Sequence, residues 1–83
     1  AIAKTTNVLV YPNPVASIAT MNLPVQVENA NVTVIDMFGQ VVISKANFAG
    51  NKVVLNTEVL AKGNFIIRIQ DKDHYYTGKF MKQ

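Results

Sequence analysis

The chain has 83 residues, a formal net charge of +3, 49% hydrophobic and 16% charged residues, and no cysteine. That length fits one small domain, and a chain of this size buries only about 60–65% of the surface its unfolded form exposes. The balance excludes a disordered polar tract, and the missing cysteine excludes disulfides, thiolate metal sites and cysteine nucleophiles.

The positive charge does not form a nucleic-acid footprint. Lys4, Lys45, Lys52, Lys62 and Lys72 are dispersed, and only Lys79 and Lys82 lie close together, without interleaved aromatics. No apolar run approaches the roughly 20 residues that cross a bilayer, so a membrane-embedded domain is not expected. The chain begins without methionine or a signal-peptide pattern and reads as a piece of a longer protein.

In chain order, residues 1–7 are small and polar and read as a linker or processing region, ahead of a domain over residues 8–83. Val8–Tyr11 predicts a strand running into Tyr11-Pro12-Asn13-Pro14. Each proline fixes φ and lacks an N–H, so the strand must end at a rigid corner. Ser17–Asn22 predicts the next strand, continued in extended form past Pro24 to Val27. Asn29-Ala30-Asn31 reads as a turn, and Val32–Asp36 as a β-branched strand. Met37–Gln40, with Gly39 free to take φ > 0, predicts a hairpin back into Val41–Ser44. Ala49-Gly50-Asn51 reads as another turn and Lys52–Leu55 as another strand. Asn56–Gly63 is the only place where a helix could start, and it is too short for more than a turn or two. Asn64–Gln70 is the strongest strand, with Phe65, Ile67 and Ile69 on one face. Asp71-Lys72-Asp73 turns the chain into a last strand over His74–Lys82.

About seven short strands with frequent turn signals and no periodic helix predict an all-β fold, an immunoglobulin-like antiparallel β-sandwich. The expected inward residues are Val10, Ile18, Val32, Val34, Phe38, Val42, Val54, Leu60, Phe65, Ile67, Ile69 and Phe80.

Chemistry is sparse. His74 is the single histidine and reads as a solvated residue beside a turn. No Ser/His/Asp order, nucleophile elbow or Gly-rich phosphate loop is present. Asp71 and Asp73 supply too few oxygens for a calcium loop and read as a hairpin turn. Asn31-Val32-Thr33 matches a glycosylation sequon but enters a predicted strand. No enzyme, cofactor or metal is expected, and the residues alone lead to a small β-sandwich without an active site.

Four stretches taken together resemble a known family: Tyr11-Pro12-Asn13-Pro14-Val15, Asp36-Met37-Phe38-Gly39-Gln40-Val41-Val42, Leu60-Ala61-Lys62-Gly63-Asn64-Phe65 and Lys79-Phe80-Met81-Lys82. In this order and spacing they resemble the type A C-terminal sorting domain of the type IX secretion system, carried by exported proteins of Bacteroidota. Phe65 stands where that family usually has tyrosine, and Gln83 where a lysine or arginine is frequent. The resemblance implies an export address at the end of a cargo protein. The cargo would fold in the periplasm, pass the outer-membrane translocon with its shuttle proteins, and reach the cell surface. There a sortase-type peptidase would remove the domain, with cleavage in or before residues 1–7. The recognition positions it implies are Tyr11, Pro12, Asn13, Pro14, Asp36, Gly39, Val42, Leu60, Gly63, Phe65, Lys79, Phe80 and Lys82, on a monomeric domain. Two readings of the terminal lysines stay open: docking by strand addition and protection of an edge against aggregation. The rival from another class is an immunoglobulin-like adhesion or carbohydrate-binding module. Such a module needs an aromatic platform, and Tyr75 and Tyr76, as strand neighbours, point to opposite faces.

Overall fold

A computed structural model describes residues 5–83. The chain is all-β: β1 (Thr5–Asn7), β2 (Val10–Tyr11), β3 (Ile18–Ile35), β4 (Val41–Asn56), β5 (Gly63–Gln70) and β6 (Tyr75–Lys82), with no helix among the described residues. These strands hydrogen-bond into one six-stranded mixed sheet ordered β1-β6-β5-β3-β2, with β4 pairing β3 off that path. All neighbours are antiparallel except β1 and β6, which run parallel.

The detail departs from a seven-strand sandwich because the expected turns at Asn29–Asn31 and Ala49–Asn51 do not reverse the chain. Both lie inside one long β3–β4 hairpin. Asn29 (φ 52°), Asn47 (φ 59°) and Gly50 (φ 131°) adopt positive φ there. The pairing register also shifts between Asn22 and Val27, between Val27 and Ala30, and between Ala30 and Val32. Such shifts bend a strand pair and raise its twist. The hairpin therefore curls: Ile18–Asn22 pairs with Lys52–Asn56 and with β2, whereas Asn31–Ile35 pairs with the start of β4 and with β5.

The two halves of this curled sheet share one core. Ala19, Met21, Leu23, Val53 and Leu55 come from one half, and Val32, Val34, Phe65, Ile67, Ile69, Tyr76 and Phe80 from the other. Fully burying a side chain of this size stabilises by about 1.5–3 kcal/mol. Val10, Val32, Val34, Leu60, Phe65, Ile67, Ile69 and Phe80 point inward as expected. Ile18, Phe38, Val42 and Val54 do not; all four are exposed. Met21 pairs with Val53 and Ala19 with Leu55, and a strand's period of two then sends Val54 and Ile18 outward. Val42 is the extra residue of a bulge, since Val34 pairs Ile43 while Ile35 pairs Val41. Phe38 sits at the hairpin tip, 87% exposed.

Of the expected linker, residues 1–4 lie outside the described residues, and Thr5–Asn7 is strand β1, in register with Tyr75–Thr77. Asn56–Gly63, the one stretch where a helix could start, forms turns instead. Asn56 Oδ1 accepts the Glu58 N–H at 2.9 Å, and the Thr57 carbonyl accepts the Leu60 N–H at 2.9 Å.

Candidate recognition surface

The D-x-x-G stretch forms a closed hairpin turn. The Asp36 carboxylate accepts the N–H groups of Phe38 and Gln40, both at 2.9 Å. Backbone bonds from Asp36 N to Gln40 O (3.0 Å) and from Gly39 N to Asp36 O (3.1 Å) complete it. Gly39 takes φ +82°, a conformation that a side chain would strain. Asp36 and Gly39 thus shape the turn, which lifts Met37 and Phe38 into solvent.

Beneath that tip lies a groove of about 480 Å³, and Asp36, Val42, Leu60, Gly63 and Phe65 all line it together with Val59 and Lys62. The middle two motifs, more than twenty positions apart at Asp36 and Leu60, therefore meet in one place. Phe65 continues into the tail by stacking on Phe80, with ring centroids 5.5 Å apart and planes at 23°. Gly63 is opposite Lys82 in the β5–β6 ladder.

The first motif reaches the same end of the sheet. Both its X-Pro bonds, Tyr11-Pro12 and Asn13-Pro14, are cis. Asn13 Oδ1 accepts the Met81 N–H at 3.0 Å. Val15, fully buried, bridges Lys82: its N–H donates to Met81 O at 2.7 Å, and its carbonyl accepts the Gln83 N–H at 2.8 Å. Asn13 and Lys79 also line a common cleft. Tyr11 alone turns elsewhere, its hydroxyl accepting the Asn22 side-chain N–H at 2.7 Å.

These contacts correct one expectation about the tail. Met81 and Lys82 are not a free edge, because Asn64 and Gly63 of β5 occupy one side and Asn13–Val15 the other. The lysines also diverge. Lys79 alternates with buried Gly78 and Phe80 and is exposed on the outer face, whereas Lys82 shares the parity of Phe80 and ends half-buried beside Gln83.

Two structural residues carry no motif. Gly78 is buried under the crossing segment that leads into β2, and a Cβ there would lie 2.7 Å from Val8 O and 2.7 Å from Val10 Cγ2. Glycine inside a strand pattern signals such an approach of another backbone. Thr57 is fully buried and ties its loop to the start of β3, with Oγ1 and N–H donating to Ser17 O at 2.9 and 2.7 Å. Nothing in its surroundings in sequence marks it.

The opposite end of the sheet carries the only histidine. His74 is half-buried, its Nδ1 is 3.1 Å from both Asp71 oxygens, and its ring stacks on Tyr76 with centroids 5.9 Å apart. Burial raises the Asp71 pKa, but hydrogen bonds from the His74 ring and from the N–H groups of Asp73 and His74, with the His74 charge, outweigh it. The carboxyl ends below its ordinary value of 3.8. Tyr76 is 4% exposed, so it offers no sugar platform with Tyr75. Among the described residues no group of three or more metal-ligating side chains converges, and no helix is long and apolar enough to cross a membrane.

The chain is thus a curled all-β domain whose separated motifs, Tyr11 apart, gather at one end around a groove and a fastened tail. The family described as the secretion system C-terminal sorting domain matches residues 9–83. The chain belongs to that family, the sorting domains of type IX secretion. No curated protein matches the chain closely. Family membership makes the chain a sorting signal for export to the cell surface or beyond, a role carried out by recognition and without catalysis, and implies a cargo-bearing parent protein.

Proposed function

We propose that the chain carries a larger protein, joined on its N-terminal side, through the periplasm and across the outer membrane by the type IX translocon and its shuttle proteins. At the cell surface a sortase-type peptidase removes it. The domain acts as a monomer, is not an enzyme and uses no cofactor. The observation that carries this reading is the family match over residues 9–83. The meeting of Asp36, Val42, Leu60, Gly63 and Phe65 around one groove supports it, because a partner can then read distant motifs as one surface. A cut within Thr5–Asn7 needs β1 to leave β6, since a protease takes extended, unpaired backbone.

The test is a transplant. Residues 1–83 are placed behind a signal peptide and a fluorescent reporter in a bacterium that has this secretion system, and the N-terminus of the released domain is sequenced. Reporter outside the cell, and a cut in or before residues 1–7, is the expected result. Reporter held in the periplasm while native cargo is secreted would overturn the proposal.

A further inference from the structure

Asn13 is exposed and sits between two prolines, and as one of the implied recognition positions it would touch the export machinery. The hydrogen bonds point elsewhere. Its Oδ1 accepts the Met81 N–H at 3.0 Å across 68 positions of sequence. Two residues on, Val15 bonds Met81 O at 2.7 Å and the Gln83 N–H at 2.8 Å, and its fully buried side chain anchors the corner in the core. Pro12 and Pro14 fix the local backbone, so the corner meets the tail as a preset shape at little ordering cost. Chain ends fray unless something ties them down, and here Met81 and Lys82 are held on both sides while Gln83 is tied to Val15.

We propose that Asn13 is a positioning residue: the Pro12–Val15 corner clasps Met81–Gln83, and the export machinery reads the clasped tail instead of the Asn13 side chain. This rests on the sorting role proposed above. The clasp uses the acceptor oxygen of Asn13, and among the described residues no hydrogen bond uses its two amide hydrogens. The chemistry therefore separates the two roles. Aspartate keeps the acceptor and loses the amide donors, whereas alanine loses both.

Two measurements on each variant test the claim: hydrogen exchange of the Met81 amide in the 83-residue chain, and export of the reporter fusion. Asn13→Ala should speed Met81 exchange by about five- to tenfold, the effect of one lost hydrogen bond, and should impair export. Asn13→Asp should keep both near the unsubstituted level. The clasp is overturned if Asn13→Ala leaves Met81 protected, or removes protection without impairing export. A direct contact replaces it if Asn13→Asp protects Met81 yet stays in the periplasm. Failure of the unsubstituted fusion to leave the cell would instead sink the sorting role, while the exchange series still judges the clasp.

Discussion

Gly78→Ala is the sharpest test of how the crossing segment lies against β6. An alanine Cβ would stand 2.7 Å from Val10 Cγ2, 2.7 Å from Val8 O and 3.0 Å from Met21 Cε. Carbon atoms settle near 3.5–4.0 Å apart, so the Val10 contact is short by at least roughly 0.8 Å. Met21 can swing its flexible end away. Val8 cannot move freely, because its N–H donates to Thr77 O at 2.8 Å, and buried Val10 is restricted at χ1. Overpacking costs typically about 1–3 kcal/mol, and two contacts at 2.7 Å, one of them to backbone, put this one at about 2–3 kcal/mol. Alanine regains about 0.4–1 kcal/mol by restricting the unfolded chain, which leaves a net destabilisation of about 1–2 kcal/mol. For a domain of this size each kcal/mol lowers Tm by about 4–8 °C, so a drop of roughly 5–15 °C is expected in a circular dichroism melt. The double variant with Val10→Ala should lose less than the two single losses combined, since one clashing methyl is gone. An unchanged or raised Tm for Gly78→Ala would refute the placement of Val8–Val10 against β6.

Other expectations rest on single contacts. Asp36→Ala removes the acceptor for two turn N–H groups and should cost about 1–2 kcal/mol in urea unfolding, with Asp36→Asn milder because one oxygen acceptor remains. Thr57→Val keeps the shape but loses the bond to Ser17 O, which should lower stability by about 1 kcal/mol in the same assay. Asp71 has a folded pKa below its ordinary 3.8, so its stabilising contribution is fully present above that value and is lost as pH falls through the folded pKa. The urea midpoint of Asp71→Asn should thus lie below the parent's at neutral pH, and the gap should close on acidification. A constant gap would contradict the assignment.

Much of the fold is legible in local pattern. β5 alternates so strongly that Phe65, Ile67 and Ile69 can only be its core face, and Asp36 with Gly39 marks the β3–β4 turn outright. What local pattern does not carry is whether a turn residue reverses the chain or only bends it. Asn29 and Gly50 take positive φ inside a paired hairpin, and it is the partner strand that decides between the two outcomes. Val53-Val54-Leu55 offers no polar contrast, so its inward parity is set by pairing with Ala19 and Met21. The candidate site divides in the same way. Its motifs are readable one by one, but their convergence on one groove follows from β3, β4 and β5 meeting at one end. The fastening of the tail by Asn13 and Val15 spans nearly the whole chain and has no local signal.

The proposed function makes the domain an export address read by the type IX machinery. The most direct measurement compares the extracellular fraction of the reporter fusion in a strain with an intact translocon and in the same strain lacking it. Reporter outside the first strain and periplasmic retention in the second is the expected result. Equal extracellular fractions in both strains would contradict it.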